Sequence, residues 1–305
     1  MSPGRAPFRA RCFGLDWRSD FPLLHFDPVG ETGSSPDITV EHVDHLPDRV
    51  LRKVSPHVYV GQHGLRILHE NEASFDVLGG SRILCLPGTG WHGTLPPRFY
   101  GTVAALTLAS RGALALHASS VVIDGCAWLI GGRPGAGKSL LTSELLGTGA
   151  LFLADDLSVL RHSKGSPAQA QRGRPTMRLH PASADMLAVD AREPVPEDPR
   201  GKHLLRPAAR ADDRAYPLGG LIVAGGDCHR ALDGAEVAVT LAAMVFRPRI
   251  SARLPNAAER RRALLEVASA LPGWRMPPLE GFDAQARTRR VRDALAAVEA
   301  MSGAA

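Results

Sequence analysis

The stretch that decides the fold reads Gly132-Arg133-Pro134-Gly135-Ala136-Gly137-Lys138-Ser139-Leu140. It fits the pattern G-x-x-x-x-G-K-[ST] without a gap. An apolar run ending at Ile130 precedes it, and a helical pattern to about Leu146 follows it. Glycines let successive backbone N–H groups turn towards phosphate oxygens, and the N-terminus of the next helix adds a positive partial charge. The stretch therefore predicts a strand, a phosphate-binding loop and a helix, in that order.

The residue types in this loop suit ATP and Mg²⁺. We expect the backbone of residues 132–140 to surround the phosphates and Lys138 to neutralise the β- and γ-phosphates. The Ser139 hydroxyl is the expected ligand for Mg²⁺. A structural glycine-rich turn is the alternative interpretation. The chain has only four lysines, and one of them at this position favours the nucleotide interpretation.

Two neighbouring carboxylates, Asp155 and Asp156, end a second apolar run that begins at Leu151. One carboxylate at such a place can hold Mg²⁺, and another can take a proton from an attacking hydroxyl group. Because side chains alternate along a strand, we expect the two to point to opposite faces and one of them to face the phosphates. The alternative is a polar turn that closes the strand, with Asp156 as a cap.

One hairpin before the loop stands His117. Residues 114–130 have the pattern of two strands around Asp124-Gly125, a dipeptide typical of tight hairpin turns. Such a hairpin can bring His117 close to the same phosphates. Four further basic side chains could each stabilise charge on a transferred phosphoryl group, although a surface or carboxylate-paired role is the default for each. They are Arg178, Lys202, Arg206 and Arg247.

The order of histidine, hairpin, glycine-rich loop, short helix and paired aspartates resembles the HPr kinase/phosphorylase family, whose core is similar to that of phosphoenolpyruvate carboxykinases. More narrowly, it resembles the HPr-kinase-related proteins of bacterial gene clusters, some of which accompany ribosomal peptides such as lasso peptides. The resemblance is strong over residues 112–160 and weaker elsewhere, as at residues 174–181 and 217–223. It implies an α/β fold with a P-loop kinase core.

The resemblance also implies roles for individual residues. Asp155 matches the general base for a serine hydroxyl, Asp156 matches a residue that supports Mg²⁺, and His117 matches one that lies by the phosphates. The expected catalytic set is thus Asp155, Lys138 and His117, and the expected metal ligands are Ser139 and Asp156. The implied activity is ATP-dependent phosphorylation of a serine in a peptide or small protein. A small-molecule kinase and a non-catalytic nucleotide-binding regulator remain open alternatives.

Composition excludes several other classes of protein. The 305 residues are 44% hydrophobic and 22% charged, close to the globular average, which excludes a disordered or fibrous protein. The formal net charge is +5, but no block of five like charges occurs and only 5% of residues are aromatic, so we expect no nucleic-acid partner. The arginine-rich runs at residues 260–262 and 287–292 are typical of solvated helix faces.

The distribution of patterns predicts two domains. Residues 1–95 carry strand patterns, for example at Ile38–Val43, separated by turn residues, and predict a small antiparallel β-rich module. Residues 96–305 mix helix and strand patterns around the glycine-rich loop and predict the kinase domain. The longest apolar run, Val237–Phe246, is too short to span a bilayer, and the first residues lack the apolar core of a secretory signal. We therefore expect a cytoplasmic protein without membrane contact. A homo-oligomer is compatible with the sequence.

Overall fold

The computed structural model describes residues 7–30, 33–163, 165–181, 193–194, 201–279 and 281–302. The chain divides into two compact units, the first made of Met1–Ala115 and Val245–Arg262, the second of Leu116–Met244 and Ala263–Ala305. The first unit thus extends past the predicted boundary at residue 95 and takes in a later segment of the chain. Most of the Pro- and charge-rich segment 194–201 lies outside the described residues.

The first unit is built on a nine-stranded sheet in the order β3-β1-β2-β4-β9-β8-β7-β6-β5. Its strands are β1 (Phe8–Cys12), β2 (Leu15–Ser19), β3 (Asp27–Pro28), β4 (Ile38–His42), β5 (Arg52–Ser55), β6 (Val58–Gly61), β7 (Gly64–Ile67), β8 (Ala73–Leu78) and β9 (Arg82–Pro87). The pairs β2–β4 and β4–β9 are parallel. The expectation of an antiparallel sheet was therefore wrong at these two pairs, because the pattern of one strand does not encode the direction of its partner.

The helix predicted after the glycine-rich loop is present, and the chain contains several more. A π-helical turn (Phe99–Val103) leads into α1 (Ala104–Ser110); the others described are α2 (Lys138–Gly147), α3 (Gly234–Met244), α4 (Pro248–Ser251), α5 (Ala257–Ala270) and α6 (Ala284–Ser302). The core of the first unit is aromatic: the rings of Trp17 and Phe26 lie 5.0 Å apart, and those of Phe75 and Phe99 lie 5.7 Å apart. Within the described residues, every helix is too short or too polar to cross a membrane.

The second unit contains a mixed sheet with the strand order β14-β15-β19-β12-β11-β13, and β21 pairs with the second half of β19. The remaining strands of the chain are β10 (Leu114–Leu116), β11 (Ser119–Ile123), β12 (Cys126–Gly131), β13 (Leu151–Ala154), β14 (Ser158–Arg161), β15 (Gln169–Gln171), β16 (Met177–Leu179), β17 (Glu193–Pro194), β18 (His203–Leu205), β19 (Ala215–Ala224), β20 (Arg230–Leu232) and β21 (Gly273–Met276). A small separate sheet has the order β16-β18-β17.

The directions of the strands bring several strand ends together at one edge of the mixed sheet. Strand β12 is parallel to β19, and β19 is parallel to β21. Strand β11 is antiparallel to both β12 and β13, so β13 runs in the same direction as β12. The carboxyl ends of these four strands therefore meet the amino end of β11 at one edge, which we call the carboxyl edge. In α/β sheets this is the edge at which ligands bind.

Helix α2 is fixed to the sheet by an apolar cluster and by one ion pair. Leu140, Leu141 and Leu145 are buried in a cluster with Ile130 of β12 and Val291 of α6. Beside it, the Nε of Arg287 donates to the Glu144 carboxylate, and both side chains are less than a tenth exposed.

The two arginine runs are only partly solvated faces. Arg287 is 6% exposed, and Arg260 of α5 is 5% exposed. Arg260 donates to the carbonyl oxygens of Ala109, Ser251 and Pro255. The expectation of a solvated face was wrong for these two arginines, because each finds buried acceptors from segments distant in sequence.

Candidate active site

The glycine-rich loop, residues 132–137, joins β12 to α2 at the carboxyl edge. Gly135 and Gly137 both have φ of +84°, and Gly132 has φ of +139°. A Cβ atom at Gly132 would lie 2.7 Å from the carbonyl oxygen of Ala224. Only glycine adopts these conformations readily, and at Gly132 only glycine fits. The loop is therefore held in its compact turn by backbone requirements that the sequence pattern satisfies.

The N-terminus of α2 opens at this loop and is electropositive. Gly137 is its N-cap, and its first turn contains no acidic residue. The first N–H groups of an α-helix have no acceptor within the helix and carry a positive partial charge. These groups belong to Lys138, Ser139 and Leu140. The Leu140 side chain is fully buried in the core, so that this residue can offer a ligand its backbone only.

The Lys138 ammonium group lies over the loop. Its Nζ donates to the carbonyl oxygens of Gly132 at 3.0 Å and Arg133 at 3.2 Å. A cation, a helix N-terminus and a glycine turn thus face the same space. Groups of these three kinds bind phosphate, so the residues present fit a nucleoside triphosphate.

A second glycine pair supports the loop, and the sequence reasoning missed it. Gly225 and Gly226 follow β19, and both of their N–H groups donate to the carbonyl oxygen of Met276 at 3.0 Å. A Cβ at Gly225 would lie 2.9 Å from the Cβ of Ala136. The sequence shows a glycine pair after an apolar strand, but it does not show that Gly225 packs against Ala136 of the loop.

Asp155 directly follows β13 and is 3% exposed. Ser119 Oγ donates to its Oδ1 at 2.5 Å, and the backbone N–H of Arg178 donates to its Oδ2 at 2.7 Å. Burial, followed by the negative charge of Asp156, raises the pKa of Asp155, and these two hydrogen bonds and the charge of Arg174 oppose the rise. The result is a carboxyl group that takes up a proton more readily than a free aspartate does.

Asp156 has the opposite character. Its backbone has φ of +63°, and its side chain is 28% exposed. Oδ2 lies 3.6 Å from Nε of Arg178 and 3.9 Å from a terminal guanidinium nitrogen of Arg174. Burial works to raise the pKa of Asp156, but the charges of Arg174, Arg178, Lys202 and His117 outweigh it and lower the pKa. Asp156 is therefore a stable carboxylate.

His117 lies beside this pair on an exposed position before β11. Its Nδ1 is 3.1 Å from the carbonyl oxygen of Asp156, and its backbone N–H donates to the carbonyl oxygen of Met244 at 2.6 Å. The ring thus contacts the backbone of the acidic pair. Asp124 and Gly125 form the tight turn of the predicted hairpin, with φ of +48° and +78°.

The structure gathers most of the predicted residues at the carboxyl edge. The loop with Lys138 and Ser139 follows β12, the two aspartates follow β13, and His117 precedes β11. Of the four basic side chains considered for charge stabilisation, Arg178 and Lys202 lower the pKa of Asp156. Arg206 is exposed, and Arg247 belongs to the first compact unit. Sequence reasoning assigned no role to two residues that contact or act on the pair, Ser119 and Arg174.

Comparisons with known proteins yield distant likenesses among solved structures. No family model matches the chain, and no curated protein matches it. Among solved structures, the Hpr(Ser) kinase/phosphatase from Coxiella burnetii is similar in fold, with a TM-score of 0.33 and 13% sequence identity. The match covers 62% of this chain and 95% of that chain.

Proposed function

We propose that this chain is a kinase that transfers the γ-phosphoryl group of ATP to a serine hydroxyl of a peptide or small protein. One observation carries the proposal. At a single sheet edge, a glycine-rich loop with a lysine meets two carboxylates whose pKa values are shifted in opposite directions. Pairs of titratable groups with diverging pKa values mark the separate proton-transfer and charge-binding roles of an active site.

The loop supplies the binding part of the proposal. Residues 132–140 would surround the triphosphate with backbone N–H groups, and the Lys138 ammonium would leave the carbonyl oxygens of Gly132 and Arg133 for the β- and γ-phosphates. A cation there stabilises the charge of the transferred group in the transition state as well as in the bound state.

Mg²⁺ fits the remaining oxygen donors. The Ser139 hydroxyl and the ionised Asp156 carboxylate would hold it, since Mg²⁺ prefers hard oxygen ligands. When bound, Mg²⁺ neutralises charge on the phosphates. The lowered pKa of Asp156 keeps this carboxylate charged, as a metal ligand must be.

Asp155 supplies the proton chemistry. It takes the proton of the serine hydroxyl, the serine oxygen forms a bond to the γ-phosphorus, and the bond from that phosphorus to the β,γ-bridging oxygen breaks. ADP leaves with the electron pair of the broken bond. A general base works best when its pKa approaches the operating pH, and burial shifts Asp155 in that direction.

The acceptor is proposed from the resemblance in sequence and from the need for close approach. The serine oxygen has to reach about 3 Å from both the base and the γ-phosphorus. A flexible peptide segment reaches a base that is 3% exposed more easily than a folded surface does. We therefore propose a serine in a flexible, terminal segment, such as that of a ribosomal lasso-peptide precursor.

The test is phosphoryl transfer from γ-labelled ATP with Mg²⁺ to the peptides encoded beside the gene. Folded HPr and a set of small metabolites are assayed in parallel. Mass spectrometry should show one added phosphate on a serine of the peptide, lost when that serine is replaced by alanine. Lys138→Ala and Asp155→Asn are the matched inactive variants.

Each other outcome removes part of the proposal. Phosphate on folded HPr or on a metabolite alone would reject the peptide acceptor. ATP binding without transfer to any acceptor, with Asp155 intact, would replace the kinase by a nucleotide-binding regulator.

A further inference from the structure

The carboxylate of Asp155 is held at both of its oxygens. Oδ1 accepts from the Ser119 hydroxyl at 2.5 Å, and Oδ2 accepts from the Arg178 backbone N–H at 2.7 Å. With one donor on each oxygen, the plane of the carboxylate is fixed. Of these two donors, only the Ser119 hydroxyl belongs to a side chain and can be removed by substitution.

Strand register explains why Ser119 reaches Asp155. Ser119 begins β11, whose next residue, Ser120, lies opposite Ala154 at the end of β13. Asp155 follows Ala154, so Ser119 and Asp155 are neighbours across the two strands. Ser119 is 1% exposed, and its hydroxyl is therefore directed by the fold and not by solvent.

The charged groups around the pair are unequal on its two sides. Asp156 adds a negative charge next to Asp155, and Arg174 adds a positive one. The other cations, Arg178, Lys202 and His117, act on Asp156. Asp155 thus depends on neutral donors for much of the stabilisation of its charged form, whereas Asp156 depends on cations.

We propose that Ser119 is a positioning residue, which orients the Asp155 carboxylate towards the acceptor hydroxyl. This inference rests on the proposed function, since a base needs positioning only where a proton is taken. The hydroxyl does not touch the reacting atoms. It acts through Asp155 alone.

Removal of the hydroxyl should lower the rate of transfer. Ser119→Ala takes away the donor on Oδ1, so the plane of the carboxylate is no longer fixed and kcat falls by about tenfold or more. Ser119→Thr keeps a hydroxyl on a strand position and should restore the wild-type kcat. Ser120→Ala is the matched control: it removes a buried hydroxyl one residue away that accepts from Ser158 Oγ at 3.0 Å.

The measurement is steady-state transfer from ATP–Mg²⁺ to the peptide acceptor by each variant. Ser119→Ala should lower kcat by about tenfold or more with the KM for ATP unchanged, while Ser119→Thr and Ser120→Ala keep the wild-type kcat. Ser119→Cys, whose thiol is a weak donor, serves if the alanine variant does not fold. It should lower kcat by a smaller amount.

The Asp155→Asn background gives the second measurement. Because Ser119 acts through Asp155 alone, adding Ser119→Ala to Asp155→Asn should cause no further loss of kcat. A kcat that is equal in Ser119→Ala and in the wild type, or a full further loss in the Asp155→Asn background, would overturn the inference while leaving the kinase proposal in place. Absence of ATP-dependent transfer by the wild type would instead reject the kinase proposal and with it the catalytic purpose of Ser119.

Discussion

Arg178 contacts Asp155 through its backbone and Asp156 through its side chain. Its N–H donates to Oδ2 of Asp155 at 2.7 Å, while its Nε lies 3.6 Å from Oδ2 of Asp156. One residue thus supplies a dipole to the buried carboxylate and a charge to the more exposed one. The different strengths of these contributions help to separate the two carboxylates, on which the first two predictions depend.

The two carboxylates should give different phenotypes when neutralised. Asp155→Asn should leave ATP binding nearly intact and lower turnover by roughly 10²–10⁴-fold, the usual size of a general-base contribution. Asp156→Asn should instead raise the Mg²⁺ concentration needed for half-maximal turnover. Steady-state kinetics with varied Mg²⁺ separate the two. Exchanged phenotypes would reverse the roles assigned to the two carboxylates. If neither variant affected turnover, the assignment of this active site would be rejected.

The rate of transfer should fall on the acid side along a limb set by Asp155. Burial and the charge of Asp156 raise its pKa above 3.8, and only the ionised form accepts a proton. Below its folded-state pKa the group is protonated, so kcat/KM falls about tenfold per pH unit there. The lowered pKa of Asp156 adds no limb above 3.8. A pH–rate profile checks this, and Asp155→Asn should lack the limb.

Lys138→Ala should weaken ATP–Mg²⁺ binding by at least about tenfold and abolish transfer, because its cation serves both the bound state and the transition state. Isothermal titration calorimetry measures the affinity. Lys53→Ala, which removes an exposed lysine of β5, is the matched control and should bind ATP as the wild type does. Equal affinity and turnover in Lys138→Ala would contradict the assignment of the loop.

Loss of one partner of the Glu144–Arg287 pair should be costly. Arg287→Met leaves a buried carboxylate without its cation and should lower the free energy of unfolding by about 3–5 kcal/mol. The double variant with Glu144→Met contains no unpaired charge and should lose less than the sum of the two single variants. Denaturant unfolding of the four proteins measures this coupling. Additive losses would show that the pair does not act as a unit.

Arg260→Met should also destabilise the chain. Its guanidinium group donates to three backbone carbonyl oxygens, at Ala109, Ser251 and Pro255, and the variant lacks these three hydrogen bonds. We expect a loss of about 2 kcal/mol or more. The exposed neighbour Arg261 provides the control, since Arg261→Met should stay within about 0.5 kcal/mol of the wild type. Thermal and denaturant unfolding compare the two, and equal losses would contradict the buried role of Arg260.

Features that depend on neighbours in sequence were predictable. The strand, glycine-rich loop and helix around Lys138 follow from local backbone requirements, and so does the Asp124-Gly125 hairpin turn, whose positive φ angles suit this dipeptide. Asp155 and Asp156 differ in partners and exposure. Strand alternation is not the reason, because both residues follow the end of β13 and Asp156 has φ of +63°.

Features that depend on distant partners were not predictable. Ser119 contacts Asp155 because β11 pairs with β13 in one register, and a single sequence does not specify that register. Arg174 comes to Asp156 from a segment 18 residues away. Arg260 and Arg287 belong to runs of charge, and only the fold decides which member of a run is buried.

The Glu144–Arg287 pair has a consequence for the order in which the protein is made. Glu144 lies on the helix that begins at Lys138, and its partner follows 143 residues later in the chain. During synthesis, the ribosome adds about 5–20 residues per second, so Glu144 is translated roughly 7–30 seconds before Arg287. Throughout that interval the nascent chain carries an acidic side chain on a surface that the finished protein buries. The nascent chain therefore needs Arg287, which is translated late, before the helix that follows the phosphate-binding loop has all of its stabilising contacts.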